Sequence, residues 1–322
     1  MLRTLWILSR PKGLPLITIL PIVGFTFAIW DHGCMIPEWG ALPYLGLLAG
    51  VWVVPHAGTM WLNAALDRDE GEVMFGKSVP VPPGIERWGY ATLVLAVAVA
   101  FWVHRGLGVC VVGCAALSVL YSHPRTAWKG HAILGPLANA VGYGILSPVG
   151  GFLLADLPPT PRGVAVLAAG VGYILTAYLS AQAFQEEEDR ARGYRTLVAL
   201  RGPRFTLRVT RAFLWASVGA TLGLAAIGWL PRAVLVSAPA FAIADRWLVR
   251  WTDRANDRSS AWAAGFFVRM TIAGLVCLAA ACAHYAWQAD HGGPMGGLGT
   301  ASGQPAAPTC GRFFRAVAHD LH

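Results

Sequence analysis

Nine stretches of this chain are apolar runs close to bilayer length: 14–30, 42–63, 89–104, 107–121, 133–154, 163–184, 213–230, 232–248 and 262–287. A helix crossing the ~30 Å hydrocarbon core needs roughly 20 mostly apolar residues, with a range of about 17 to 25. The third and fourth runs are short, and Asp245 and Arg246 weaken the eighth, so the reading is about nine spans. A single soluble core cannot hide this much apolar surface. Hydrophobic residues make up 56% of the chain and charged residues 13%, against about 25% charged in an ordinary soluble domain. A soluble enzyme, a disordered chain and a disulfide-stapled secreted scaffold are all excluded. The expected fold class is an all-α membrane protein, with a polytopic domain over 1–287 in the lipid bilayer. Residues 288–322, rich in Gly, Pro, Ala and Ser, are expected to be a disordered tail.

Charge sets the expected orientation. With the N-terminus inside, nineteen Lys and Arg fall in inside segments and five outside. Such a split supports the spans as a set. The net charge of +8 therefore reads as positive inside loops and not as a nucleic-acid surface. The opening MLRTLWILSRPKGLP lacks the form of a secretory signal, because Arg10, Pro11 and Lys12 interrupt its apolar run. It reads as a cytoplasmic cap on the first span of an integral, multi-pass protein of a bacterial-type inner or plasma membrane. The six cysteines form no CxxC and read as small apolar helix residues, with no metal site on sulfur.

Two inside loops carry the candidate chemistry. Residues 63–84 hold Asp67, Asp69, Glu70 and Glu72, followed by Lys77; residues 185–204 hold Glu186, Glu187, Glu188 and Asp189, followed by Arg190, Arg192 and Arg195. Each begins where an apolar helix ends. Asn63 and Asp67 are four apart, as are Gln185 and Asp189, so each pair shares a helix face. Crowded carboxylates need a positive partner, and hard oxygen ligands favour Mg²⁺ or Ca²⁺. Magnesium is usually held by one or two carboxylates plus substrate phosphates, and adjacent Arg and Lys suit the remaining phosphate charge. A third segment, YSHPRTAWKGHAILGP, offers the Tyr121 ring to a cationic intermediate and Lys129 to a phosphate. Each of these features also has a plain reading: solvated inside loops, an interfacial aromatic and a positive-inside lysine. His56, inside the second span, reads best as a hydrogen-bonded neutral histidine.

Over about residues 3 to 287 the chain resembles the UbiA superfamily of intramembrane prenyltransferases. LSRPKGLPLITILPIVGF resembles that family's R-P start and first helix. Its first motif, N-D-x-x-D-x-x-x-D, is matched at Asn63 and Asp67, with Ala64 and Gly71 where Asp is usual. Its second, D-x-x-x-D-x-x-x-G followed by Thr-Leu, is matched at Asp189, Gly193, Thr196 and Leu197, with Gln185 in place of the first Asp. Tyr121, Ser122, Pro124 and Lys129 resemble the family's Y-S…P…K stretch.

The resemblance implies a UbiA-like bundle of nine helices. It implies an enzyme that uses Mg²⁺ to transfer a prenyl group from a prenyl diphosphate donor to a hydrophobic acceptor. The implied metal set is Asn63, Asp67, Asp69, Glu70, Gln185, Glu186 and Asp189, with Asp69, Glu70, Glu72 and Glu186 standing in for the departed motif positions. Arg68, Lys77, Lys129 and Arg190 are the implied diphosphate contacts, and Tyr121 the implied cation stabiliser. The alternatives are a non-catalytic protein that binds diphosphate lipids and a transporter.

Overall fold

Inside a bilayer the backbone finds no water, so each apolar span must satisfy its N–H and C=O groups within itself, as helix. The computed structural model follows this throughout. It describes residues 2–32, 42–67, 72–73, 76–77, 79–157, 159–257 and 259–290. The helices are α1 (Leu2–Leu8), α2 (Leu14–Asp31), α3 (Leu42–Asp67), α4 (Ile85–Val103), α5 (Arg105–Ser122), α6 (Leu134–Asn139) and α7 (Ser147–Leu154). They continue with α8 (Pro161–Gln182), α9 (Glu186–Ala191), α10 (Leu197–Ala226), α11 (Ala238–Asp253) and α12 (Ser260–Asp290). A π-helical segment, Ala140–Leu146, joins α6 to α7 into one span. A small hairpin after α3 pairs Glu72 with Lys77 and Val73 with Gly76.

Among the described residues seven helical segments are long and apolar enough to cross a membrane: 45–66, 85–103, 105–122, 134–154, 161–182, 197–226 and 260–288. A shorter apolar helix, Ile17–Asp31, accounts for the first expected span. Two of the expected runs have bounds that differ from those of their helices. The run at 213–230 is only the second half of α10, which starts at Leu197 and bends at Gly202–Pro203, where Gly202 takes φ +77°. The run at 232–248 is divided between two contiguous elements. Its first part is a 3-10 turn, Arg232–Ser237, and α11 is a 16-residue amphipathic helix. It buries Phe241, Ala244, Leu248 and Trp251 and leaves Arg246 and Arg250 exposed. Its Asp245 receives a two-pronged ion pair from Arg211 of α10, at 2.7 and 3.0 Å. That pairing offsets the cost of holding a carboxylate against an apolar face. Helix α12 runs to Asp290, three residues into the expected tail; the remainder of the tail lies outside the described residues.

The apolar side chains form two clusters. One gathers α2, α3, α4, α5 and α7 around Phe25, Trp52, Leu107 and Phe152. The other gathers α10, α11 and α12 around Leu207, Leu214, Phe241, Trp251 and Phe266, with Tyr173 of α8 against it. Helix α8 also packs along the π-helical segment and so links the two.

Because lipid is as apolar as leucine, helices associate in a membrane through close packing rather than a hydrophobic drive. The contact between α2 and α7 shows this in extreme form. A Cβ on Gly24 would lie 1.9 Å from the Pro148 carbonyl oxygen, and a Cβ on Gly151 would lie 1.8 Å from that of Pro21. The two backbones touch reciprocally, each glycine seated on the other helix one turn from a proline. A side chain at either position must drive the helices apart, since the obstruction is backbone. Gly24→Leu and Gly151→Leu are each expected to cost at least about 2 kcal/mol. The check is thermal unfolding in detergent, with Gly170→Leu, which faces open space, holding the wild-type midpoint.

Candidate active site

Helices α3, α5 and α8 bring their C-terminal ends to one place, and the chain that follows α5 and α8 closes over it. Asn63, in the last turns of α3, is buried at 9% exposure and accepts a hydrogen bond from Ser122 Oγ at the end of α5. Tyr121, beside Ser122, is within hydrogen-bond reach of Asn139 and of Tyr178 on α8. The Tyr178 hydroxyl in turn accepts from Gln182 Nε2 at 3.1 Å. These groups make a continuous polar strip at this end of the bundle. The carbonyl ends of three helices carry partial negative charge, a setting that favours a cation.

The second acidic segment completes the strip, and its sequence explains how. Helix α9 is six residues long and stops because Gly193 adopts φ +71°. The turn is closed by Gly193 N–H to the Arg190 carbonyl at 3.0 Å and Tyr194 N–H to the Asp189 carbonyl at 2.8 Å, the six-to-one bond of a glycine-capped helix end. Reversal at Gly193 carries Tyr194 and Arg195 back over the 3-10 turn Trp128–Gly130. Arg195 N–H donates to the Gly130 carbonyl at 2.7 Å, and His131 and Arg195 form a parallel bridge. The Lys129 ammonium then lies 6.0 Å from the centre of the Tyr194 ring. A spacing of four from Asp189 to Gly193 is what this geometry requires: one turn of helix, then a cap that glycine adopts without strain.

Asp189 and Lys129 face each other's fields inside this enclosure, at 8% and 9% exposure. Burial pushes the Asp189 carboxyl up to about 6, opposed by Thr196 Oγ1, which donates to it at 2.5 Å, and by the charges of Arg192 and Lys129; Glu188 adds to the rise. Burial also lowers the Lys129 ammonium to about 8, with Arg192 contributing and Asp189 and Glu188 opposing. Burial thus shifts both groups toward their neutral forms while leaving each mostly charged near pH 7. Thr196 also caps α10, accepting from Ala199 N–H at 3.3 Å, so one hydroxyl fixes both the helix start and the carboxylate.

The other expected residues divide. Glu186 is buried and pairs with Arg190 at 2.9 Å; Arg190 is largely exposed and also donates to the Ala199 carbonyl at 3.2 Å. Gln185 is only half-buried at the start of α9. Asp67 is the last residue of α3, placed by its backbone one turn beyond Asn63. Lys77 is placed only as a strand residue opposite Glu72. Arg68, Asp69 and Glu70 lie outside the described residues. His56 Nε2 bonds the Ser9 carbonyl at 3.1 Å, while its Nδ1 is buried without a hydrogen-bond partner.

Sequence reading missed four contributors. Asn139, Tyr178 and Gln182 join the strip, and Arg10, following the residue that His56 holds, lies within electrostatic reach of Tyr121 and Tyr143. Tyr178 and Gln182 are four apart and Gln182 and Asp189 seven apart, a helical spacing that could have signalled them. Among the described residues no three His, Cys, Asp or Glu side chains cluster to hold a metal. The available donors are oxygens: the Asp189 carboxylate and the amides of Asn63 and Gln182, the last with its buried Oε1 lacking any hydrogen-bond partner. A hard cation fits such a set, since it answers both the unfilled oxygen and the strained carboxylate.

The sequence matches the UbiA prenyltransferase family over residues 18–275. No curated protein matches it. A UbiA homologue from Archaeoglobus fulgidus bound to GPP and Mg²⁺ shares the fold at 17% identity, with 87% of this chain and 99% of that chain covered and a TM-score of 0.62. The same homologue bound to DMAPP and Mg²⁺ gives 17% identity, 85% and 98% coverage and a TM-score of 0.60. A digeranylgeranylglyceryl phosphate synthase gives 15%, 87% and 96%, and 0.55.

The strap over Lys129 depends on the left-handed conformation of Gly193. Gly193→Ala meets no neighbouring atom but is strained at φ +71°, which is expected to cost about 1–2 kcal/mol. The midpoint of thermal unfolding in detergent should fall accordingly, whereas Gly219→Ala, in open space within α10, should not lower it.

Proposed function

The chain belongs to the UbiA prenyltransferase family, and on that premise we propose that it transfers a prenyl group from a prenyl diphosphate to a hydrophobic acceptor within the membrane. The observation that carries the reading is the buried pair Asp189 and Lys129, enclosed with Asn63, Tyr121 and Gln182 where three apolar helices end. The relatives bound to GPP or DMAPP with Mg²⁺ support a diphosphate donor and a divalent cation. Asn63, Asp67 and Asp189 would hold Mg²⁺, which when bound would neutralise charge on the leaving diphosphate.

The chain's own residues do the rest. Lys129 donates to a diphosphate oxygen, and the Tyr194 ring and the Gly130–Arg195 strap hold it in place. The prenyl tail lies among apolar helices. The donor's C1–O bond breaks with its electron pair leaving on diphosphate, and the acceptor's electron pair forms the new bond to C1. The Tyr121 ring faces the developing allylic charge, and the closed strap keeps water from capturing it. Diphosphate, itself a base, takes the proton the acceptor loses. The nineteen-to-five distribution of Lys and Arg supports a cytoplasmic location for this end of the bundle. A transporter or a non-catalytic diphosphate-lipid binder would leave the donor intact.

The test is Mg²⁺-dependent release of diphosphate from geranyl diphosphate by the protein in nanodiscs, across aromatic and glycerolipid acceptors. Asp189→Asn and Lys129→Gln should each lower turnover by at least tenfold; transport without release, or indifference to both changes, would overturn the reading. Binding of a non-reacting geranyl thiodiphosphate analogue with Mg²⁺ should depend on pH on both sides. Lys129 loses its charge as pH rises through about 8, so affinity falls above that value. Asp189 gains a proton as pH falls through about 6, so affinity also falls below it. Lys129→Gln should flatten the alkaline limb and leave the acidic one.

A further inference from the structure

The second acidic segment places its oxygens differently from the order of its sequence. By motif spacing the partner of Asp189 is Gln185, four residues earlier. In the structure Gln185 is half-buried at the start of α9, whereas Gln182, at the end of α8, is 4% exposed. A tight turn separates the two helices: Gln185 N–H donates to the Gln182 carbonyl at 3.0 Å, Gln185 itself leaves the helical region at φ −96° and ψ 15°, and Asp189 N–H donates to the Gln185 carbonyl at 2.9 Å. Gln182, Glu186 and Asp189, at intervals of four and three, are the buried polar residues of this segment, beside the buried Ala183, and Glu187 is exposed. Glu186 is tied to Arg190. That leaves Gln182 and Asp189 as the pair turned inward.

The Gln182 amide is held at one end only. Its Nε2 donates to the Tyr178 hydroxyl, which belongs to the strip that includes Tyr121 and lies within the field of Asp189. Its Oε1 is buried with no partner among protein atoms. A buried amide oxygen left unpaired is costly and uncommon, and in a site built to receive a ligand it marks a contact that the ligand completes. An amide oxygen is a hard, neutral donor suited to Mg²⁺. Asn63 offers the same group from the end of α3.

We propose that Gln182, through Oε1, supplies the oxygen that the second acidic motif lacks at Gln185, as a neutral ligand to the divalent cation that accompanies the prenyl diphosphate. The inference rests on the diphosphate reading above. One consequence concerns order of binding. An amide in place of a carboxylate removes one negative charge from the metal's surroundings, so the bare cation is held weakly. The cation therefore enters together with the diphosphate, whose oxygens bring the missing charge.

The experiment uses the full-length protein in nanodiscs and reads binding of geranyl thiodiphosphate against Mg²⁺ concentration, with Mn²⁺ paramagnetic resonance in the absence of the analogue. Wild type should show little Mn²⁺ bound alone and strong uptake with the analogue. Gln182→Leu should raise the Mg²⁺ needed for half-maximal analogue binding by about tenfold or more, and Gln185→Leu should leave it within twofold. Gln182→Glu should lower that requirement severalfold and allow Mn²⁺ to bind without the analogue. An unchanged requirement in both Gln182 variants, or a rise in Gln185→Leu alone, would overturn the proposal. If Gln182→Leu fails to fold, Gln182→Glu decides the matter alone. Asp189→Asn separates the two claims. Loss of analogue binding there with indifference at Gln182 sinks only this inference; indifference at Asp189 as well sinks the diphosphate reading itself.

Discussion

A polar group inside an apolar bundle has no water to fall back on, and most of this structure follows from that constraint. Backbone polarity is spent within helices. Side-chain polarity is either paired, as Arg211 is with Asp245, or collected where helices end. Asn63, Tyr121, Tyr178 and Gln182 are collected because three helices deliver their C-termini to one place. The few carboxylates and cations near them are then held in a medium that strengthens every charge interaction. Asp189 and Lys129 are both displaced from their ordinary titration ranges for this reason.

Rigidity comes from a different source. Two backbones touch at Gly24 and Gly151, and the strap from Gly193 to Arg195 is clipped to Gly130 by a backbone hydrogen bond. Neither device uses a charged side chain. Strength without charge suits an enzyme whose proposed intermediate is a carbocation, which any stray nucleophile or water would quench.

The departed motifs change how the metal would be held without removing the means to hold it. Asp67 and Asp189 remain, and amides stand near each of them. Such a site is less negative than a full set of carboxylates. On the reading proposed above, its affinity for a bare cation would fall accordingly, and its dependence on the charge of the donor would rise.

Read alone, the sequence determined the membrane character, the all-α class and the two acidic segments, because hydrophobic run length and charge spacing are local properties. It also placed Asn63, Asp189, Lys129 and Tyr121 among the candidates, since each sits at the end of an apolar run. Only the tertiary structure decided which polar residues turn inward. Gln182 rather than Gln185 is buried because the chain turns between α8 and α9 and reverses again at Gly193, which the spacing of acidic residues does not reveal. The partition of 232–248 into a turn and an amphipathic helix likewise needed the partner Arg211. Asn139, Tyr178 and Arg10 come from three separate segments, and their meeting beside Tyr121 is a product of packing between distant parts of the chain.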